Sequence, residues 1–134
     1  MIEINNLTKF AVDKKKFSTV AKKVLKGENK EIENISLAFV EKSEIQKLNK
    51  KFRNKNKPTD VLSFNINEDS CLGEIVICPD VAKENAKKFG VAVKHEVMKL
   101  FIHGILHLLG YDHEKSKKEA EGMEEKERKY LSQI

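Results

Sequence analysis

Glycine and proline are scarce, six and two in 134 residues. That excludes a collagen-like repeat and the composition of a flexible linker. No apolar run approaches the roughly 20 residues a membrane span requires, so no membrane partner is expected. The opening MIEINNLTKF lacks the basic-then-apolar pattern of a secretory signal, so a cytoplasmic protein is expected. There are two cysteines, Cys71 and Cys78, seven apart with no CxxC pair, which excludes a zinc knuckle and a thioredoxin-type site. Cys78 closes the apolar run Ile75-Val76-Ile77 and reads as a buried, reduced core thiol. Arginine is rarer still: of 26 cationic residues only Arg53 and Arg128 are arginines. Arg128 lies four residues after Glu124 in a charged helical stretch, where an exposed ion pair accounts for it. Arg53 has no such explanation, and a guanidinium offers a rigid two-pronged fork that lysine lacks.

What is present is material for one core under a charged skin. Hydrophobic residues make up 40% and charged residues 35%, and the length suits a single domain over residues 1–134. A net charge of +5 points only weakly to a polyanionic partner.

Strands are predicted at Ile2–Ile4, at Ile35–Val40, at Asp60–Phe64 and at Gly73–Cys78, the last nearly all apolar and therefore central. Asp13 can cap a helix with Phe17, Val20, Ala21, Val24 and Leu25 on one stripe, stopping at Gly27. Ser43 and Gln46 fit a capping box for a second helix that buries Ile45, Leu48 and Phe52. A cationic stretch follows, with Lys50, Lys51, Arg53, Lys55 and Lys57 and no acid, and Pro58 ends it. Asn65–Ser70 reads as a polar loop. Pro79 and Asp80 start a helix ending near Gly90, and Val91–Leu109 is apolar on most faces and reads as a buried helix. Glu114–Tyr130 reads as a surface helix with a narrow stripe at Ala120, Met123 and Tyr130.

Three of the four histidines fall within eleven residues, His103, His107 and His113. His103 and His107 are spaced i, i+4 and project from one helix face. Gly110 sits where a helix end takes a left-handed residue, so the chain can turn there and bring His113 back. Three neutral imidazoles leave a zinc ion its full charge and an open position, the catalytic rather than the structural arrangement. One Zn2+ per chain is the expectation, with water acidified at the open position. His95 falls outside this spacing and reads as structural or as a support to a ligand. The spacing matches the metzincin pattern H-E-x-x-H-x-x-G-x-x-H except that Gly104 stands where those peptidases carry their general base, so the metal geometry survives without the peptidase mechanism.

Two blocks resemble the YbeY family of metal-dependent endoribonucleases and rRNA maturation factors. One is HGILHLLGYDH, His103 to His113; the other is Leu48-Asn49-Lys50-Lys51-Phe52-Arg53 followed by Pro58-Thr59-Asp60-Val61-Leu62-Ser63-Phe64. Gly73-Glu74-Ile75 and His95-Glu96 fit the flanking segments. Phe52 stands where family members often carry Tyr. The resemblance implies an α+β fold with a small mixed four-stranded sheet, helices packed on it and a metzincin-like metal helix and turn. It also implies a zinc-dependent, single-strand-specific endoribonuclease acting in small-subunit rRNA 3′-end maturation and ribosome quality control. Its implied partners are single-stranded rRNA, small-subunit components and a ribosome-assembly GTPase. In that reading His103, His107 and His113 hold the metal and Arg53 grips the phosphate. Lys50, Lys51, Lys55, Lys57 and Ser63 line the RNA path. Two alternatives stay open: a non-catalytic ribosome-assembly factor with a structural metal, and a metal hydrolase of another small phosphoester or peptide. No general base is fixed by spacing.

Overall fold

The computed structural model describes residues 2–30, 33–68 and 70–134. The elements run β1 (Ile2–Asn6), α1 (Lys14–Gly27), β2 (Asn34–Phe39), α2 (Lys42–Arg53), β3 (Val61–Glu68), β4 (Cys71–Ile77), α3 (Pro79–Phe89), α4 (Val93–Leu108) and α5 (Lys117–Leu131). The strands form one mixed sheet in the order β1-β2-β4-β3. β1 and β4 flank β2 in parallel, and β3 closes one edge antiparallel to β4. This is the expected α+β architecture. No helix among the described residues is long and apolar enough to cross a membrane.

Period-two alternation sorts the sheet into two faces. Ile35, Leu37, Phe39, Ile75 and Ile77 face the main core with Val20 and Val24 of α1, Phe101 and Ile105 of α4, and Met123 of α5. Val40, Val76 and Cys78 face the other way and meet Ile45 of α2 and Leu62 of β3. The buried Cys78 is as expected, and burial pushes its thiol pKa up. α1 begins as read, with the Asp13 side chain accepting from the Lys16 N–H at 3.2 Å.

Four local expectations need correction. The second helix starts two residues early, with Glu41 as N-cap and no side-chain cap bond; Ser43 and Gln46 lie inside it, and Gln46 Nε2 donates to Asn56 Oδ1 at 3.1 Å. Phe52 is 57% exposed, its ring tilted by 60° against that of Phe64 with centroids 5.1 Å apart, because Phe64 lies on the edge strand β3 and no further strand among the described residues covers the ring. The cationic stretch is helical through Arg53, where the left-handed Asn54 (φ 56°) stops it, so Lys50, Lys51 and Arg53 complement the negative end of the helix dipole. The expected loop after Phe64 is largely strand: β3 continues to Glu68 with an irregularity after Asn65, and Asp69 lies outside the described residues.

Helix α4 is seated by a close approach. A Cβ on Gly104 would lie 2.8 Å from Ile75 Cγ2, so only hydrogen fits between the helix and β4. Asn65 Nδ2 donates to the Leu108 carbonyl at 2.9 Å and fixes the other end of the helix against β3. A second anchor is Glu28, just past α1. Its carboxylate accepts from Tyr111 Oη at 2.6 Å, from Lys126 Nζ at 3.1 Å and from Tyr130 Oη. Burial pushes the Glu28 pKa up, but these three donors outweigh it, and the net position is below the ordinary carboxylate range.

Two stability tests follow. Gly104→Ala should gain about 1 kcal/mol of helix propensity and lose about 1–3 kcal/mol to overpacking, a net loss. Gly122→Ala on α5, where the added methyl meets nothing within 4 Å, should gain instead; opposite signs in denaturant unfolding check the contact. For Glu28, a lowered folded pKa means stabilisation that is full above the unfolded carboxyl's titration and lost as pH falls through the folded value. Glu28→Gln should cost about 1–3 kcal/mol at pH 7, with the gap to wild type closing below roughly pH 4.

Candidate active-site cleft

The sequence HGILHLLGYDH builds a helix, an abrupt stop and a return. His103 and His107 leave one face of α4 with ring centroids 6.2 Å apart. Leu109 ends the helix and Gly110 follows at φ +103°, a conformation that a side chain would strain. The Gly110 N–H donates to the His107 carbonyl and the Tyr111 N–H to the Leu106 carbonyl, both at 3.1 Å. This paired closure satisfies the last carbonyls of the helix. It returns the chain so that the His113 ring lies 5.0 Å from that of His103 and 6.0 Å from that of His107.

The tightest set of potential ligand atoms is not the histidine trio. His107, Asp112 and His113 place one such atom each within 4.8 Å of one another. Asp112 also accepts from the Glu114 N–H at 2.9 Å, so it both closes the turn and faces the two rings. His103 joins the cluster through its ring, while its Nδ1 is hydrogen-bonded to Glu127 of α5. A carboxylate can only accept, so Nδ1 carries the proton and Nε2 of the neutral ring keeps its lone pair.

Sequence reasoning misses Glu127, because α5 reads as a surface helix. The carboxyl is nonetheless buried. The available signal is its position: Met123, Glu127 and Tyr130 share one stripe, all buried, and Glu127 is the acid among apolar neighbours. Glu96, on α4 at the cleft wall, is the other buried acid among the described residues. His95 beside it is exposed and outside the cleft, so it supports no ligand.

The cleft has a volume of about 710 Å³ and brings Arg53 and the three histidines into one space. Lys55, Lys57 and Ser63 also line it; Lys50 and Lys51 do not. Lys51 turns to the Phe52 ring, 5.2 Å from its centroid. Ser63 faces α4 rather than solvent, with its Oγ 3.5 Å from the Gly104 carbonyl. Asp60 also lines the cleft; it accepts from the neighbouring Val61 N–H at 2.8 Å, as a turn residue can, and from Asn85 Nδ2 of α3 at 3.1 Å, which ties the start of β3 to that helix. Asn49, fully buried, donates to the Lys57 carbonyl at 2.9 Å and so fixes the strand entry beside Arg53.

Both signs of charge line the cleft. Cations predominate on the side of α2 and β3, as Arg53, Lys55 and Lys57, with Asp60 beside them; carboxylates predominate on α4 and α5, as Glu96, Glu124 and Glu127, with Lys99 beside them. Glu114 bridges the two, 3.8 Å from the Arg53 guanidinium and 3.9 Å from His113 Nε2. Both the arginine and this acid are well exposed, so the pair is loose and contributes little to stability.

Comparison with known proteins places the chain among its relatives. A family profile described as Endoribonuclease YbeY matches residues 3–134. An Endoribonuclease YbeY of Thermotoga maritima is 42% identical over 101 residues, 75% of this chain and 67% of the relative. One of Bdellovibrio bacteriovorus is 48% identical over 99 residues, 74% of this chain and 65% of the relative. A solution structure of a Thermotoga maritima protein superposes with a TM-score of 0.74 at 37% identity, covering 98% of this chain and 87% of that one. The chain therefore belongs to the YbeY endoribonuclease family.

Proposed function

We propose that the protein is a metal-dependent endoribonuclease that cuts single-stranded RNA in the cleft between α2 and α4. The reading rests on one observation above the rest: a cluster of three imidazoles and the arginine of the cationic helix end open into the same space. We assign His103, His107 and His113 as ligands of one zinc-type ion. The donor chemistry fits, because neutral imidazoles are the common ligands of such an ion and a carboxylate behind one of them is the usual support. Asp112 is close enough to complete or replace one of the three. When bound, the ion supplies Lewis-acid charge relief at a phosphate and lowers the pKa of water.

The protein's own groups do the rest. Arg53 sits on a capped helix end, so its backbone is fixed beside the cleft and its fork can reach two phosphate oxygens. Glu114 occupies that fork loosely, and a phosphate, carrying a full charge and better geometry, displaces it. Lys55 and Lys57 hold the strand by charge alone. Glu127 keeps the His103 proton on Nδ1 and fixes the ring's rotation. The peptidase alternative meets a steric obstacle, since a side chain at position 104 runs into Ile75. The natural substrate in this reading is small-subunit rRNA near its 3′ end, met in maturation and quality control, with small-subunit components and an assembly GTPase as partners.

Metal analysis should find about one zinc-type ion per chain, and chelator competition should find it lost in His103→Ala/His107→Ala. Glu127→Gln should weaken ion affinity about 10- to 100-fold while the fold persists. An unchanged affinity would remove Glu127 from the site. Purified protein should cut defined single-stranded RNA, spare the duplex, and stop when chelator is added. Arg53→Lys keeps the charge and loses the fork, so cleavage should fall about 10- to 100-fold with metal content intact. Full activity in that variant would exclude the arginine from the reaction.

A further inference from the structure

Six large hydrophobic residues are well exposed among the described residues, and Phe89 is the only one of them that lines the cleft. It is the last residue of α3. Gly90, left-handed at φ +68°, stops the helix immediately after it and turns the chain away, leaving the ring 58% exposed. Lys99, one turn before His103 on α4, also lines the cleft, and its ammonium lies 5.6 Å from the centre of the Phe89 ring. Phe52, equally exposed, has the ring of Phe64 as its partner and lies outside the cleft. Phe89 thus presents an aromatic surface in the same cleft as the phosphate-binding arginine, at the edge of a helix that bears the histidines.

We propose that Phe89 is a nucleobase-stacking subsite, which accepts one unpaired base of the strand whose phosphate Arg53 grips. The proposal rests on the RNA reading above and gives it a source of single-strand preference. An aromatic face binds any base that is free to leave its stack, and a duplex keeps its bases covered. Lys99 favours the same occupant. Its charge is attracted to the ring it overlies and also to the phosphate that follows the stacked base. A simple apolar ligand would use the ring and gain nothing from the ammonium.

The test is steady-state cleavage of a fluorescently labelled single-stranded RNA by the metal-loaded protein, with Phe89→Ala, Phe89→Trp and a set of substrates each carrying one abasic nucleotide. Phe89 is exposed, so both variants should melt with the wild type. Phe89→Ala should raise KM about tenfold, and Phe89→Trp should restore it. In wild type, removing the base at one particular position should raise KM by a similar factor. In Phe89→Ala, removing that same base should add nothing. A KM unchanged in Phe89→Ala, or an abasic penalty that persists undiminished in the variant, would overturn the subsite and leave the nuclease reading intact. Wild-type protein that neither binds nor cuts any of these RNAs would overturn the RNA reading itself, and the subsite with it.

Discussion

The turn at Gly110 is the constraint on which the rest of the site depends. A helix supplies two side chains on one face at i, i+4, but it carries a third in the same direction only farther along its axis. Stopping α4 at Leu109 and reversing through a positive φ brings His113 beside the two rings without lengthening the helix. The reversal is stabilised from both ends. The last carbonyls of α4 are satisfied by the backbone of the turn, and Tyr111, just beyond it, is tied to Glu28 at the end of α1. The sheet contributes the base against which this is built, since Gly104 lets α4 settle onto Ile75 at a separation a side chain would prevent.

Much of this is legible in the amino-acid order because it is local. Histidine spacing, the glycine after the helix and the alternation in β2 and β4 each report a conformation set within a few residues. The readings that fail depend on where an element ends relative to its neighbour. Phe52 continues the apolar stripe of Ile45 and Leu48, yet its ring meets Phe64 of the edge strand β3 and the Lys51 ammonium, with no further strand among the described residues to cover it. The cationic stretch shows no apolar period to mark where the helix stops, and helical hydrogen bonding carries α2 through Arg53 to the left-handed Asn54. Glu127 is hidden because sequence composition averages α5 into a surface helix, whereas the stripe it occupies is the buried one. A lone acid on an apolar stripe implies a partner, but the identity of that partner is a matter of tertiary contact.

The uneven distribution of charge around the cleft would suit the two opposite ligands of the proposed reading. A cation and a polyanion cannot both be drawn to a wall of a single sign. In the proposed reading, the carboxylates that predominate on α4 and α5 would favour a positive ion beside the histidines, and the cations that predominate at the end of α2 and before β3 would favour phosphate, with Lys99 and Asp60 as the group of opposite sign on each side. Net charge of the whole chain reports neither. Glu114, between the two halves, keeps the arginine from standing unpaired when the cleft is empty of substrate.

Lys126 and Glu127 are consecutive on α5, and they reach in different directions: Lys126 to Glu28, Glu127 to His103. Neighbouring helical residues diverge by about 100° around the axis. Two polar contacts at that divergence add to the buried Met123 and Tyr130 in fixing the azimuth of α5. The orientation of one imidazole in the cleft is thereby referred, through a single peptide step, to the carboxylate that ends the first helix of the chain.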